Sequence, residues 1–187
     1  MKTSFQILKQ INPNWNLFLD RDGVINERLI DDYVKKREEF VFLPHVLDAI
    51  SLFSKHFNHI FVVTNQQGVG KGLMTLEQVD VVHEFMISEV KKFGGKIDKV
   101  YVAPYLQAEN NIMRKPAPGM AFKAKSEFTD VHFKQSVMVG DSISDMQFGK
   151  RLGMKTIFIS ENIKKCRENH TLIDLAFPNL WDFAQSL

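Results

Sequence analysis

Short apolar runs recur along this chain of 187 residues and alternate with segments whose apolar residues have helical spacing. We interpret five of these runs as buried strands, because amphipathic helices separate them. Strands and helices in this alternation form a parallel sheet with helices on both faces. The sequence therefore predicts an α/β fold with a Rossmann-like sheet. The predicted strands cover residues 15–19, 59–63, 99–102, 136–139 and 156–159.

Helix signals occupy most of the segments between the strands. Pro44 suits the first position of one helix, and Thr75 with Gln78 forms a capping box at the start of a longer one. The inner face of the longer helix is predicted to carry Val79, Val82, Met86, Val90 and Phe93. Predicted helices cover about 44–57, 75–93, 119–128, a segment ending near 152, 172–176 and 180–186, and residues 1–14 form a leader with one or two helical turns.

Two segments lack a regular period. Residues 23–43 are expected to form a loop or small flap over the end of the first strand, and they leave no room for a cap domain. The second segment carries Gly68, Gly70 and Gly72, whose spacing does not match a dinucleotide-binding fingerprint. We expect these glycines to form a mobile loop near the same end of the sheet. Residues 1–187 are predicted to be one domain.

The composition excludes several classes of function. Lys and Arg number 24 and Asp and Glu number 22, a net charge of +2 that is too balanced for an electrostatic nucleic-acid binder. The single cysteine, Cys166, forms no intrachain disulfide and no cysteine-rich metal site. No apolar run approaches the length of a membrane span, and the N-terminus lacks an apolar signal core. We expect a cytoplasmic protein, a monomer or weak homo-oligomer, without a nucleic-acid or membrane partner.

Polar side chains follow four of the predicted strands. Right-handed crossovers bring the carboxyl ends of parallel strands to one edge of a sheet, and ligands bind at that edge in open α/β folds. We therefore expect the polar groups to converge on one site. They are Asp20 with Asp22, Thr64 with Asn65, Arg114 with Lys115, and Asp141 with Asp145.

The carboxylates of this group predict a divalent cation. At about 4 Å and an effective dielectric constant near 20, each pair of like charges costs on the order of 4 kcal/mol. A cation between Asp20, Asp22 and Asp141 relieves that repulsion. Ligands that are all oxygen favour a hard ion, and Mg²⁺ also binds phosphate oxygens. We therefore predict a Mg²⁺ site.

The same group of residues suits phosphoryl transfer. Lys115, Thr64 and Asn65 offer donors to phosphate oxygens. One Asp can attack phosphorus to form an aspartyl-phosphate, and a second carboxylic acid can protonate the leaving oxygen and then activate water. Asp20 and Asp22 supply such a pair.

Four ordered motifs resemble those of the haloacid-dehalogenase (HAD) phosphatase superfamily, over about residues 15–160. They are Asp20-Arg21-Asp22-Gly23, Thr64, Lys115, and Gly140-Asp141 with Asp145. The resemblance implies that Asp20 is the nucleophile and Asp22 the general acid and base. It implies that Mg²⁺ is held by the Asp20 carboxylate, the Asp22 backbone carbonyl and Asp141. It also implies that Asp145 holds Lys115 in place.

Within the superfamily the chain is most similar to the capless branch that includes heptose bisphosphate and histidinol-phosphate phosphatases. The similarity lies in residues 20–26, 64–68 and 114–116, and in Asp32-Tyr33-Val34 of the flap. It implies that Asn65, Arg114 and Lys71 contact the substrate. Lys71 has an equally good alternative as a solvated loop residue.

One part of that branch's pattern is missing. The branch carries a zinc loop, Cys-x-His and then Cys-x-Cys directly before the arginine. The corresponding residues here are Ala103, Tyr105, Asn111 and Met113. We therefore predict no zinc, and a loop over residues 103–113 that is held by packing and hydrogen bonds.

These observations predict a Mg²⁺-dependent phosphatase that hydrolyses a small phosphorylated metabolite. The resemblance favours the 7-phosphate of D-glycero-D-manno-heptose 1,7-bisphosphate, with histidinol phosphate as the alternative. A nucleic-acid 3′-phosphatase is a further alternative, which the balanced charge disfavours. A phosphomutase is disfavoured because it must exclude water and no cap is predicted. A non-catalytic sugar-phosphate binder is disfavoured because every catalytic position is intact.

Overall fold

A computed structural model describes residues 4–187, without the side chains of residues 4, 5, 163 and 165. Six parallel strands form one sheet in the order β3-β2-β1-β4-β5-β6, so the predicted α/β fold is confirmed. The strands are β1 Asn16–Leu19, β2 His59–Asn65, β3 Lys99–Ala103, β4 Ser136–Gly140, β5 Lys155–Ile159 and β6 Leu175–Phe177.

Helices cover both faces of the sheet. Successive residues of β1 point to opposite faces, so Leu17 and Leu19 join the core beneath α2, α4 and α8, whereas Phe18 joins the core beneath α5 and α6. The helices are α1 Ser4–Leu8, α2 Val46–His56, α3 Gln67–Gly70, α4 Leu76–Lys92, α5 Gly119–Glu127, α6 Ile143–Leu152, α7 Ile163–Glu168 and α8 Leu180–Gln185. Among the described residues, no helix combines the length and the apolar character that a membrane span needs.

The central strand β1 ends at the middle of the carboxyl edge of the sheet. Leu19 pairs with Val62 of β2 on one side and with Val139 of β4 on the other. The next residue, Asp20, still donates its backbone N–H to the Val139 carbonyl at 2.9 Å. β1 and β4 therefore end almost level, whereas β2 continues for three residues beyond Val62, so that its last residues lie beside those that follow β1.

The α2 and α4 helices correct two details of the prediction. Pro44 is not the first helical residue, because His45 adopts a left-handed conformation with φ of 57° and α2 begins at Val46. The capping box of Thr75 and Gln78 is present as predicted. Phe93 is not on the inner face of α4, because it follows the last helical residue and is 54% exposed.

The C-terminal segment departs most from prediction. The helix predicted over residues 172–176 is wrong, because Leu175–Phe177 forms the edge strand β6. Asp174 ties this segment to β5: its carboxylate accepts from the Thr156 backbone N–H at 2.9 Å, and its N–H donates to the Thr156 carbonyl at 3.0 Å. A five-residue apolar pattern does not distinguish such an edge strand from a helical turn. The preceding helix α7 was not predicted.

The flap and the glycine segment lie against each other. Residues 23–43 form a loop as predicted, with a 3₁₀ turn at Arg37–Glu39 and an isolated antiparallel bridge between Asn26 and Phe42. Gly68 and Gly70, predicted to lie in a mobile loop, instead belong to the short helix α3. A Cβ at Gly68 would lie 2.7 Å from Cγ of Tyr33 in the flap. The glycine is required for this close approach. Residues 1–3 of the predicted leader lie outside the described residues, and one helical turn follows them.

Substitution of a buried and an exposed phenylalanine tests the burial assigned to this core. Phe53 is fully buried and packs against Phe57 and Phe183, whereas Phe93 is exposed. Phe53→Ala should lower the free energy of unfolding by about 3–5 kcal/mol, because it leaves a cavity in the core. Phe93→Ala, the matched control, should change it by less than about 0.5 kcal/mol. Urea unfolding measures both, and equal losses would contradict the assigned burial.

Candidate active site

A cavity of about 560 Å³ opens at the carboxyl edge of the sheet. The ends of β1 and β2, the loop before α5, the start of α6 and the flap surround it. The structure thereby brings the predicted site residues together. Those that line the cavity are Asp20, Asp22, Thr64, Asn65, Lys71, Arg114, Lys115 and Asp145; Asp141 stands next to them, with a carboxylate oxygen within 4.8 Å of oxygens of Asp20 and Asp145.

Lys115 forms the floor of the cavity. Its Nζ donates to Asp20 Oδ1 at 2.8 Å and lies 2.6 Å from Asp145 Oδ1. Burial lowers the pKa of the Lys115 ammonium, but the two carboxylates outweigh that effect and the pKa is raised. The lysine therefore stays charged and neutralises part of the acidic cluster.

The first turn of α6 fixes Asp145. Its Oδ2 accepts from the Ser142 backbone N–H at 3.1 Å and from the Ser142 hydroxyl at 2.6 Å. The Asp145 backbone N–H in turn donates to Ser142 Oγ at 3.4 Å, which completes a capping box. A Cβ on Gly140 would lie 2.3 Å from the Asp145 Cβ. Glycine at the end of β4 therefore allows Asp145 to reach under the sheet edge toward Lys115.

Asn65 fixes the backbone of Lys115. The Asn65 side-chain amide donates to the Lys115 carbonyl at 3.1 Å and accepts from the Lys115 N–H at 3.0 Å. The peptide bond between Lys115 and Pro116 is cis. The predicted contact of Asn65 with substrate stays a prediction. In the structure, the Asn65 side chain lies at the wall of the cavity and holds the backbone of Lys115.

Asp20 lies at the inner end of the cavity, where it is buried. Burial and then the charge of Asp145 raise the pKa of the Asp20 carboxyl to about 7, with Asp141 adding to the effect and Lys115 opposing it. A second cation beside Asp20 would favour its ionised form.

The donor set fits a hard divalent cation. Carboxylate oxygens of Asp20, Asp141 and Asp145 lie within 4.8 Å of one another, and oxygen ligands suit Mg²⁺. Because Asp145 already binds Lys115 and Ser142, the Asp20 and Asp141 carboxylates are the better candidates. They fit a Mg²⁺ ion with the Asp22 backbone carbonyl as a third ligand.

Arg28 of the flap contacts all three of these groups. Its Nη2 lies 3.1 Å from Asp141 Oδ1 and 4.0 Å from Asp20 Oδ2, and it donates to the Asp22 backbone carbonyl at 3.3 Å. A metal ion and the Arg28 guanidinium therefore compete for the same oxygens. Sequence reasoning missed Arg28, because the flap has no periodic pattern that predicts where its side chains point.

Asp22 is held by three side chains. Its Oδ1 accepts from Arg21 at 2.9 Å and from Asn26 at 3.0 Å, and its Oδ2 accepts from Gln66 at 2.8 Å. Burial raises the pKa of the Asp22 carboxyl, but the charge of Arg21 and these hydrogen bonds outweigh burial and the pKa is lowered. Asp22 is therefore an anion before substrate enters.

Gln66 also contacts Thr64. The Gln66 amide nitrogen donates to Thr64 Oγ1 at 2.8 Å. The Thr64 hydroxyl is thus an acceptor toward Gln66, and its own proton is available to a phosphate oxygen in the cavity. Gln66 belongs to the Thr64–Gly68 motif, but nothing in the sequence distinguishes it from an ordinary loop residue. Only the fold shows that its side chain contacts both Thr64 and Asp22.

The outer rim carries the other predicted residues. Arg114 is half-buried and donates to the Tyr105 carbonyl at 3.4 Å. The Lys71 ammonium lies 5.5 Å from the centre of the Tyr33 ring, a cation–π distance. Arg114 and Lys71 both line the cavity. Their predicted contacts with substrate stay predictions.

The loop that corresponds to the zinc loop is held by hydrogen bonds and by packing. The Asn111 side chain accepts from the Met113 N–H at 2.9 Å, and the Ile112 carbonyl accepts from the Gly119 N–H at 2.8 Å. Tyr105 and Met113 pack against the core beneath α5. Neither His nor Cys occurs among residues 103–113.

Comparison with known proteins assigns the family. The sequence profile of the family described as polynucleotide kinase 3 phosphatase matches residues 17–182, almost the whole chain. The chain belongs to this family. The predicted resemblance to HAD phosphatases is thereby confirmed.

Relatives of this phosphatase have a common description. The D-glycero-alpha-D-manno-heptose-1,7-bisphosphate 7-phosphatase of Mycobacterium tuberculosis is 33% identical, over 95% of this chain and 94% of its own. The D-glycero-beta-D-manno-heptose-1,7-bisphosphate 7-phosphatase of Neisseria meningitidis serogroup B is 31% identical, over 90% and 92%. The crystal structure of the D,D-heptose 1,7-bisphosphate phosphatase from B. bronchiseptica, complexed with magnesium and phosphate, has a TM-score of 0.81 at 28% identity, covering 91% of this chain and 96% of that one.

Two glycines with positive φ test the cation site. A Cβ at Gly23 (φ 87°) would lie 2.2 Å from Asp141 Oδ2, whereas at Gly72 (φ 68°) nothing lies within 4 Å. Both alanine variants should lose stability, about 1–2 kcal/mol for the left-handed backbone. Only Gly23→Ala should displace Asp141, and it should weaken Mg²⁺ binding about 10- to 100-fold, as when groups that orient metal ligands are altered.

Isothermal titration with MgCl₂ measures the affinity of both glycine variants, and urea unfolding measures their stability. Equal Mg²⁺ affinities in the two variants would contradict the assignment of Asp141 to the cation site.

Proposed function

We propose that this HAD phosphatase is a Mg²⁺-dependent D-glycero-D-manno-heptose 1,7-bisphosphate 7-phosphatase that works through an aspartyl-phosphate. The observation that carries the proposal is the buried contact of Lys115 with Asp20 at 2.8 Å, at the inner end of the cavity. It leaves Asp20 facing the cavity beside a fixed positive charge. The descriptions of the relatives support the substrate.

In the first half of the reaction, an oxygen of the Asp20 carboxylate attacks phosphorus. The bond from phosphorus to Asp20 forms while the bond to the sugar oxygen breaks. Asp22, protonated in the substrate complex, gives its proton to that leaving oxygen. Lys115 and the Thr64 hydroxyl contact the oxygens of the transferring group and stabilise its charge.

In the second half, water replaces the sugar. Asp22, now an anion, accepts a proton from the water as the water oxygen attacks phosphorus. The bond from phosphorus to Asp20 breaks, and inorganic phosphate and the Asp20 carboxylate are released. The lowered pKa of Asp22 suits this base role. The acid role requires that the phosphate dianion, next to it, favours the protonated form.

Mg²⁺ would be held by the Asp20 and Asp141 carboxylates and the Asp22 backbone carbonyl, and when bound it supplies positive charge to the phosphoryl group. We propose that no zinc is present, because residues 103–113 offer neither His nor Cys. Stoichiometric zinc in a metal analysis of the purified protein would contradict this.

The dimensions and charge of the cavity support a small substrate with a second anionic group. Its volume is about 560 Å³, and Arg114 and Lys71 lie at its rim, where they can receive a second phosphate. Histidinol phosphate, which has one phosphate, would leave these cations without a partner. The family description includes polynucleotide phosphatases, which makes a nucleic-acid 3′-phosphate the other alternative. The net charge of +2 disfavours it.

Two further proposals concern the setting of the enzyme. A metabolite substrate and a single free cysteine support a cytoplasmic location. We propose a monomer or weak homo-oligomer, with no membrane partner, as the functional form.

The nucleophile is tested with Asp20→Asn. We expect kcat to fall by a factor of about 10⁴ or more, as in other enzymes that lose a covalent nucleophile, while the chain stays folded. The matched control is Asp31→Asn, which alters a carboxylate that lines the same cavity and should keep most of the activity. Acid quenching with labelled substrate should trap phosphate on wild type and not on Asp20→Asn. Retained turnover in Asp20→Asn would refute the nucleophile.

The substrate is tested with a panel at saturating Mg²⁺: both anomers of heptose bisphosphate, histidinol phosphate and a 3′-phosphorylated oligonucleotide. We expect kcat/KM for one heptose anomer to exceed the other values at least about tenfold, roughly 1.4 kcal/mol of transition-state binding. A higher kcat/KM for the oligonucleotide or histidinol phosphate would replace the proposed substrate without affecting the chemistry.

A further inference from the structure

We infer that Arg21 and His83 are positioning residues for Asp22, linked to it in a buried chain that runs from helix α4 to the active site. The inference rests on the proposed function, because it gives the two residues a role only if Asp22 is the acid and base. Neither residue lines the cavity, so both act through Asp22 alone.

Arg21 uses its whole guanidinium group in this chain. Nε and Nη2 both donate to Asp22 Oδ1, at 3.3 and 2.9 Å. Nη1 lies 3.0 Å from His83 Nε2. The side chain is completely buried, although its neighbours in the sequence, Asp20 and Asp22, both line the cavity. Because the planar guanidinium is bonded to Asp22 on one side and to His83 on the other, it is held in one orientation.

Packing alone gives no reason for a charge at this position. Among the described residues, Asp22 is the only carboxylate within ion-pair distance of Arg21. Desolvating a guanidinium is expensive, and well-packed apolar residues often replace a buried ion pair without loss of stability. The charge is therefore better explained by what it does to Asp22 than by its contribution to the core.

His83 completes the chain from the helix side. It lies on the inner face of α4, among apolar neighbours that include Val79, Val82 and Met86. Burial, and then the charge of Arg21, lower the pKa of His83 to about 3, so its imidazole is neutral. A neutral imidazole can accept a hydrogen bond at Nε2, and Arg21 Nη1 is the donor there. His83 thus satisfies the one guanidinium nitrogen that Asp22 does not reach.

The contacts with Arg21 determine which oxygen of Asp22 is left for the cavity. Arg21 and Asn26 take up Oδ1, whereas Oδ2 has only the Gln66 amide at 2.8 Å. The Asp22 side chain is 22% exposed, and Oδ2 is the oxygen with a lone pair left for the cavity. The chain therefore selects Oδ2 as the oxygen that exchanges the proton, and holds it toward the leaving group.

Leaving-group dependence tests this role, because only a poor leaving group needs a proton. In His83→Leu, kcat/KM for the sugar phosphate should fall about tenfold, a fraction of the 10²–10⁴ that acid catalysis supplies. With 4-nitrophenyl phosphate, whose leaving group needs no proton, kcat/KM should change less than about threefold. The ratio kcat/KM is compared because it reports the steps through departure of the leaving group, whereas kcat also includes hydrolysis of the aspartyl-phosphate, in which Asp22 is the base for both substrates. His83→Gln should restore kcat/KM for the sugar phosphate, because its amide oxygen can accept from Arg21 Nη1.

Matched variants separate positioning from folding. Met86→Leu alters the same face of α4 without touching Arg21 and should behave as wild type with both substrates. If His83→Leu does not fold, His83→Asn takes its place, since its shorter amide does not reach Nη1. Circular dichroism and thermal unfolding check each variant. Equal losses with the two phosphates, or no rescue by glutamine, would overturn the inference.

The Asp22→Asn variant distinguishes a failure of the positioning role of His83 from a failure of the proposed acid role of Asp22. If it lowers kcat/KM for the sugar phosphate far more than kcat/KM for 4-nitrophenyl phosphate, the acid role of Asp22 stands and the His83 results judge the inference alone. If Asp22→Asn lowers both kcat/KM values equally, the proposed acid assignment itself fails.

Discussion

The Lys115 ammonium is the interaction on which the site depends. It lies between Asp20 and Asp145, within 2.8 Å of each, and all three side chains are buried. Without it, the carboxylates at this edge would repel one another at low dielectric. A buried cation with two anionic partners keeps its charge, whereas a buried cation with none loses it. The rest of the edge can be understood as the means of holding this lysine in place.

Each partner of Lys115 comes from a different part of the chain. β1 delivers Asp20, the capped start of α6 delivers Asp145, and the Asn65 amide at the end of β2 holds the lysine backbone. The parallel sheet makes this possible, because it brings the carboxyl ends of distant strands to one edge. The active site is therefore a property of the sheet edge and not of any one loop. A shift of one strand would separate the lysine from its carboxylates.

Sequence reasoning succeeded where a residue follows a strand. The alternation of strands and helices predicted the α/β fold, and the strand ends predicted which residues meet. It failed where contacts depend on side-chain direction or on the edge of the sheet. The flap residue Arg28 and the bridging residue Gln66 have no periodic signal. The edge strand β6 is too short for one, and Asp174 with Thr156 holds it in place through contacts that only the fold reveals.

The glycines show a second limit of pattern reading. Gly23 and Gly140 belong to the sequence motifs and Gly68 to the predicted loop, but each is needed because another side chain occupies the space of its missing Cβ. Two of those neighbours, Asp141 and Asp145, belong to the acidic cluster. Glycine in these motifs thus lets carboxylates approach closer than a side chain would permit. Such a requirement becomes visible only in three dimensions.

Asp20 and Asp22 lie in different electrostatic environments. Asp20 has one buried cation, shared with Asp145, and a pKa of about 7; Asp22 has its own arginine and two amide donors, and a lowered pKa. Two carboxylates separated by one residue thus have different proton affinities because they face different donors. A group that must both give and take a proton needs an environment that holds its direction while substrate changes its charge. Arg21 and His83 can meet that need because they are buried and remain the same in both halves of the reaction.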